Sequence, residues 1–288
     1  IKSLIKPKEK YIIQFIDSFG PVVYLRENLN SLYGKNTFYF QFFYHGYPPF
    51  LGNFESVKFY ESINEMVLLT NASYQEHKRL YTNLPCSFSI LNNGVDESIF
   101  FKLSKQEKEN LRNKNNISIN KKVFLWLSQD RPKKGLDFIL NIWKTIEKSK
   151  KKDAELWVIG SERSFDLNGV KSFGKIPNNE LPKYYQMADV YLFPTLCQEG
   201  FGLSLAEALH CGCFVIASKL GGVTEVLQNG EFGILIENPN FNNEWKVEIE
   251  KTLNSNIMST FNNKYYSLKE WQESMNNLID NAIKYGGD

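Results

Sequence analysis

Cysteine is scarce in this chain of 288 residues, and the four present, Cys86, Cys197, Cys211 and Cys213, have neither metal-ligand spacing nor the density of a disulfide framework. A reducing cytoplasm is the simplest setting for such a chain. Also missing are a His/Cys cluster, an Asp-x-Asp pair that would hold a divalent ion, a Gly-x-Gly-x-x-Gly after the first strand and a Walker-type lysine loop. No metal and no resident cofactor is therefore expected, and any bound phosphate must be met by backbone dipoles and by Lys or Arg. No run of about eighteen apolar residues exists, so no membrane-spanning helix is expected, and the first residues do not resemble a signal peptide. Charge of one sign is lacking too. The 34 basic and 32 acidic side chains leave a net +2, which argues against a dedicated nucleic-acid binder. The chain opens at Ile1 rather than Met, as expected of a cut or partly represented N-terminus.

What is present is an ordinary globular composition, 42% hydrophobic, over a length that suits two domains or one large one. After residue 120, short apolar runs alternate with helical periodicity. Strands are predicted over Val123–Ser128, Glu155–Gly160, Val170–Gly174, Val190–Pro194, Phe214–Ser218 and Gly233–Ile236, and helices over Leu136–Glu147, Asn179–Met187, Gly202–Cys211 and Gly222–Leu227. Strand and helix alternating in this way predict an α/β fold with a parallel, doubly wound sheet. Ligands of such sheets bind beyond the carboxyl ends of the strands. The loops Ser128–Gly135, Gly174–Asn179 and Pro194–Gly202 then matter most. The first part carries a related pattern, with strands over Tyr11–Ile16, Thr37–Tyr44, Met66–Leu69 and Phe88–Leu91 and a helix over Pro21–Leu32. Turn residues at Asn93-Gly-Val-Asp96 predict a hinge. Leu268–Tyr285 reads as an amphipathic helix with Trp271, Met275, Leu278 and Ile279 on one stripe, whereas the Asn/Lys-rich stretches 108–122 and 240–263 read as solvated surface.

The most informative segment is Glu199-Gly-Phe-Gly-Leu-Ser-Leu-Ala-Glu207. Gly200 and Gly202 are expected to take dihedrals that a side chain forbids and to bring backbone close to a ligand. The N–H groups of the following helix, from about Leu203, are then free to face an anion. Glu207 interrupts an otherwise apolar helix, where a carboxylate is costly unless something hydrogen-bonds it. Ser204, Glu207 and Cys211 share one helix face. As residues alone, the segment fits either a sugar-phosphate site or a capped core helix with a satisfied glutamate.

Three other features sit where strands end. Arg131 and Lys134, with Gly135, lie in the loop Ser128-Gln-Asp-Arg-Pro-Lys-Lys-Gly135 beside a helix start, where mobile positive charge would suit a departing diphosphate or simply a charged surface. Gly174-Lys175-Ile176-Pro177 is a turn able to present backbone groups to the edge of a base, though most such turns are only turns. His45 closes an apolar strand ahead of Gly46 and is either structural or aimed at a cleft.

Together these residues carry a resemblance. Glu199 to Glu207, with Cys211-Gly-Cys-Phe-Val-Ile-Ala-Ser218 and Gly221-Gly-Val-Thr-Glu225 behind it, resembles the donor-site block of retaining glycosyltransferases of the GT-B fold, in glycosyltransferase family four. Asn93 to Asp96, the Lys134-Gly135 loop, Leu181 to Pro194 and Glu231 to Pro239 follow in the family's order, so the likeness spans residues 90 to 240. It implies two Rossmann-like domains with a cleft between them. Their bounds are 1–95 for a reduced or truncated N-terminal domain, 96–264 for the donor domain and 265–288 for a helix crossing back. By the resemblance, Glu199 holds donor-sugar hydroxyls and Glu207 the ribose hydroxyls. Backbone of Gly200, Phe201, Gly202, Leu203 and Ser204 meets the diphosphate, Lys134 neutralises it, the turn at Lys175 and Ile176 reads the base, and His45 lies near the reacting sugar. The implied reaction is metal-independent transfer of a hexose, with retention, from a nucleotide-sugar to a glycan or lipid-linked acceptor hydroxyl in glycan or polysaccharide biosynthesis. The locally basic Ile1–Lys10 adds the expectation of peripheral contact with the inner face of a membrane. Two departures stand out. Gln129 occupies the place where the family has Arg, with Arg131 as its shifted substitute, and Tyr11–Gly46 matches only the second half of the family's N-terminal domain. They motivate a second reading, a noncatalytic nucleotide-sugar-binding or scaffold protein that keeps the donor domain. An epimerase or phosphorylase of the same architecture is a third.

Overall fold

The computed structural model describes residues 5–6, 9–47, 54–80, 83–255 and 259–285. Much of the basic segment Ile1–Lys10, namely residues 1–4 and 7–8, lies outside the described residues. The chain divides into two compact units, Ile1–Gly94 with Lys269–Asp288, and Val95–Leu268.

The first unit contains β1 (Tyr11–Ile16), α1 (Val22–Tyr33), β2 (Phe38–Tyr44), α2 (Phe54–Ser62), β3 (Glu65–Leu68), α3 (Asn71–Leu80) and β4 (Ser87–Ile90). Its four strands pair in parallel in the order β1-β2-β3-β4. The period of two in β2 decides what each face buries. Phe38, Phe40 and Phe42 enter an aromatic core with Phe15, Phe59 and Tyr60. On the other face, Phe43 packs with Val67, Leu91 and Leu278, and Gln41 donates from Nε2 to Glu65 Oε2 (2.8 Å). Helices α2 and α3 were not apparent in the sequence; α3 (Asn-Ala-Ser-Tyr-Gln-Glu-His-Lys-Arg-Leu) fully buries only Ser73 and His77, neither of them an apolar residue that would mark a helix stripe.

The second unit runs through α4 (Lys105–Lys114), β5 (Lys122–Leu127), α5 (Leu136–Thr145), β6 (Ala154–Ile159), β7 (Val170–Ser172), α6 (Leu181–Met187), β8 (Val190–Phe193), α7 (Leu203–His210), β9 (Phe214–Ser218), α8 (Val223–Val226), β10 (Gly233–Ile236) and α9 (Asn242–Leu253). The last helix, α10 (Leu268–Tyr285), begins at the end of this unit and from Lys269 belongs to the first. Its stripe residues Trp271, Met275 and Leu278 lie against Phe43, Val67 and Leu91. Predicted element ends fall within about two residues of those observed, the span over which ends fray.

Six parallel strands form the second sheet, in the order β10-β9-β8-β5-β6-β7. Continuous apolar strands such as Val123-Phe-Leu-Trp126 are buried on both faces, under Trp143, Ile139 and Leu140 on one side. The stretches read as solvated surface need correction, for both form helices with buried anchors. In α4, Ser104 and Glu107 form a capping box, and Arg112, 4% exposed, donates to the Met187 and Lys121 carbonyls. In α9, Trp245 and Ile249 are fully buried in the main core. A few apolar residues among many polar ones suffice because each anchor is large.

Candidate functional site

Strand order places the site. From β5 the chain proceeds outward through β6 and β7, then returns to start β8 on the other side of β5 and continues to β9 and β10. The switch point lies between β5 and β8, which pair at Phe124↔Val190 and Leu125↔Tyr191. The loops leaving these two strands are the Lys134 loop and the Glu199 loop.

The loops are joined by their backbones. Leu196 N–H donates to the Lys133 carbonyl (2.8 Å), and Gly135, at φ +73°, lies so close to Pro194 that a Cβ would stand 2.0 Å from its carbonyl oxygen. Only glycine fits there. Behind the loop, Trp126 Nε1 donates to the Lys134 carbonyl (3.1 Å). Lys134 Nζ then reaches Glu199 Oε1 at 2.5 Å, and Thr195, 1% exposed, donates its hydroxyl to the same oxygen at 2.8 Å. Cys197 Sγ lies 3.7 Å from that oxygen. Glu199 is fixed from its other side as well, since its carbonyl accepts from Gly222 N–H (2.8 Å) and its backbone bridges Gly221.

Gly202 stands at φ +93° and precedes α7 without any side-chain cap, so the first N–H groups of the helix have no intrahelical partner. Gly200 does not share this conformation; Gly202 alone of the pair has positive φ, which corrects the expectation for both. Phe201 is 1% exposed, its ring edge-on to Tyr266 at 5.2 Å, so only its backbone can face a ligand. Leu203 is exposed.

The polar stripe on α7 rests on two tyrosines that sequence reasoning missed. Tyr191 hydroxyl is hydrogen-bonded to the Leu127 carbonyl (3.0 Å) and to Ser204 Oγ (2.9 Å), and Tyr185 hydroxyl donates to Glu207 Oε2 (3.0 Å). Burial raises the Glu207 carboxyl to about 7, an effect the Tyr185 bond opposes. Burial first, and the neighbouring Tyr191 and Glu207 next, also push the Tyr185 phenol up, so it stays a donor. Cys211 completes the stripe as a buried thiol whose ionisation burial suppresses.

The remaining candidates lie apart from this cluster. Arg131 is exposed and, among the described residues, forms no ion pair. Lys175 is 73% exposed and pairs with Glu162 at 2.8 Å, while Ile176 beside it is half-buried. Gly174 accepts at its carbonyl from Gly160 N–H (2.7 Å), which ties the turn after β7 to the end of β6. Also missed was Arg163, whose guanidinium spans Asp130 and Asp137 at 2.7 Å each, with Ser161 donating to Asp130 at 2.6 Å. Burial would raise the Asp130 carboxyl, but the bonds from Ser161 and Arg163 hold it below its ordinary value. His45 belongs to the first unit, exposed at the end of β2, where Asp17 Oδ1 accepts its backbone N–H and Oδ2 lies 2.9 Å from Nδ1.

The family model described as glycosyl transferases group 1 matches residues 107–282, more than half of the chain. The chain belongs to this family. Among curated relatives, a phosphatidyl-myo-inositol mannosyltransferase of Propionibacterium freudenreichii is 31% identical over 102 residues, 35% of this chain and 26% of that protein. Among solved structures, sucrose-phosphate synthase of Thermosynechococcus elongatus superposes with a TM-score of 0.72 at 16% identity, covering 95% of this chain and 74% of the other. Anabaena HepE, solved in complex with UDP, has a TM-score of 0.72 at 16% identity over 93% of this chain and 78% of the other. The fold is GT-B, with a small N-terminal sheet. The matches span between 26% and 62% of the length of these curated relatives.

In this family member the motif residues of the second unit converge in two groups. Lys134 and Glu199 form one, and Ser204 and Glu207 on α7 the other, with Gly202 between them. Among the described residues no three His, Cys, Asp or Glu side chains gather as a metal site, and no helix is long and apolar enough to cross a membrane.

Proposed function

We propose that the chain transfers a glycosyl unit from a nucleotide-sugar to an acceptor hydroxyl with retention at the anomeric carbon. The observation that carries this reading is the contact of Lys134 Nζ with Glu199 Oε1 at the switch point, on the loop that leads into the uncapped start of α7. A diphosphate entering there meets helix N–H groups and a lysine, while Glu199 is left to accept hydroxyls of the sugar. Glu207 takes the ribose hydroxyls, backbone at Lys175 and Ile176 the base, and Arg131 the outer phosphate from its exposed loop. The resemblance also gives His45 a role at the reacting sugar. Asp17 Oδ2, 2.9 Å from Nδ1, fixes the direction of the His45 ring.

As the bond from the anomeric carbon to phosphate breaks, negative charge grows on the departing oxygen. Lys134 and the α7 dipole stabilise that charge more in the transition state than in the bound donor. The acceptor oxygen bonds to the anomeric carbon on the face the phosphate leaves, and its proton passes to the phosphate oxygen. The lipid named in the Propionibacterium relative supports a lipid-linked or glycan acceptor.

Calorimetry with UDP, GDP and ADP, followed by transfer assays with the matching nucleotide-sugars, tests the reading. Loss of less than about threefold in turnover for both Lys134→Ala and Glu199→Ala would sink it. Gln129, where the family has Arg, favours one rival, nucleotide-sugar binding without transfer. Binding with no turnover over any acceptor panel would favour that rival.

A further inference from the structure

At the opposite, amino edge of the six-stranded sheet lies a cavity of about 500 Å³ that the donor chemistry does not use. It opens where β5 starts at Lys122 and where Asp189 and Gly212 lead into β8 and β9. Two cations already converge on its one inner carboxylate. Lys108 Nζ and an Arg112 nitrogen stand 2.9 and 2.7 Å from the two oxygens of Asp189, whose carboxyl burial would raise but which Lys108 and Arg112 hold below its ordinary value. Asp189 is thus saturated.

Lys122 has no carboxylate of its own. Its ammonium donates to the Ser255 carbonyl (2.7 Å), and burial lowers its pKa, with Lys108 and Arg112 adding to the effect against the pull of Asp189. Lys102 and Lys105 stand exposed at the rim. Five cations against two carboxylates line this cavity, in a chain whose whole balance is only +2. Around the start of the same strand a second hollow of about 380 Å³, lined by Lys121 and four further lysines with Glu155 as its one carboxylate, extends the positive field. Asp189 already occupies Lys108 and Arg112, which leaves Lys122 and the rim lysines Lys102 and Lys105 without a carboxylate among the described residues, and such an excess of positive charge around a hollow makes a site that an anion completes.

We propose that the cavity between Lys102, Lys105, Lys108, Arg112 and Lys122 binds a phosphate-bearing anion, at a site separate from the Lys134–Glu199 loops. Lysines, as point charges on flexible stems that can turn to a ligand, suit a phosphate group, free or on a lipid headgroup.

Inorganic pyrophosphate titrated calorimetrically into the full chain, with UDP present in excess to fill the Lys134–Glu199 site, tests this. Affinity should fall at least about tenfold in Lys102→Glu/Lys105→Glu and in Lys122→Gln, and should stay within about twofold in Lys78→Ala, an exposed lysine of the first unit. The double variant changes only exposed side chains, and an unaltered melting temperature without anion would confirm that it folds. Equal binding in all four proteins, an equal loss in Lys78→Ala, or none in the wild type once UDP is present would overturn the proposal. Flotation with phosphatidylcholine vesicles, with and without phosphatidylglycerol, separates the sources. Capture by the anionic vesicles that the double variant loses identifies a headgroup, and pyrophosphate binding without flotation identifies a free phosphate compound.

Discussion

Tyr185 hydroxyl donates to Glu207 Oε2 at 3.0 Å, the one hydrogen bond made to that carboxyl among the described residues. Burial with so little compensation lifts Glu207 from the ordinary 4.5 to about 7. Because the folded value is the higher one, the neutral acid is the form that folding favours. That contribution is complete below about pH 4.5 and is lost as pH rises through about 7. Glu207→Gln should therefore raise the melting temperature relative to wild type at pH 8 and leave it nearly level at pH 4.5, with a ceiling of about 3 kcal/mol. Parallel melting curves for the two proteins across that range would refute the assignment.

Thr195 and Lys134 share one oxygen of Glu199, so the hydroxyl fixes the carboxylate's direction while the lysine is free to turn to a ligand. Thr195→Val keeps the shape and removes the donor. A hydrogen bond to a charged group is worth about 1.5–3 kcal/mol, so kcat should fall about tenfold or more. Thr195→Ser should restore most of the rate. Steady-state kinetics on the two variants decides, and equal rates would show that the hydroxyl only supports the loop.

Two glycines with similar dihedrals give opposite expectations. Gly135 (φ +73°) would bring a Cβ to 2.0 Å from the Pro194 carbonyl, whereas Gly174 (φ +67°) has nothing within 4 Å of that position. Gly174→Ala should cost about 1–2 kcal/mol, the backbone strain alone. Gly135→Ala must also push the Lys134 loop away from the Glu199 loop, so it should cost more than about 3 kcal/mol and turnover as well. Urea unfolding of the two proteins measures the difference, and similar midpoints would mean that the loops are not held as described.

The second sheet and the glycine-flanked glutamates were legible because their signals are local: apolar runs such as Val-Tyr-Leu-Phe at 190–193, a turn glycine, a carboxylate inside an apolar helix. The partners of those glutamates were not. Tyr185 meets Glu207 across 22 positions, and Asp17 meets His45 across 28, so no local pattern announces either contact. Gly200 was read as a second special backbone position, yet it needs no positive φ, since Gly202 makes the turn alone. Helices α4 and α9 were hidden by composition, as Arg112 in the one and Trp245 with Ile249 in the other anchor largely polar segments. Gln129 and Arg131 show the limit of motif transfer. Both side chains are exposed, and of the two only Arg131 carries a charge that a phosphate can meet.

Glu207 connects pH to ligand as well as to stability. A ribose diol donates two hydrogen bonds, which the carboxylate accepts better than the neutral acid, so nucleotide binding should lower the Glu207 pKa from about 7 and expel its proton. UDP binding near neutral pH should therefore release a fraction of a proton in wild type beyond that released in Glu207→Gln. The difference should shrink at pH 8.5, where the carboxyl is already ionised, and it should be smaller with a nucleotide that lacks the ribose hydroxyls. Calorimetric titrations in buffers of different ionisation enthalpy measure the proton count directly. The phosphate's own ionisation enters wild type and variant alike and cancels in the comparison. Equal release in the two proteins would take the ribose away from Glu207, while leaving the Lys134 and Glu199 assignment to be judged by turnover.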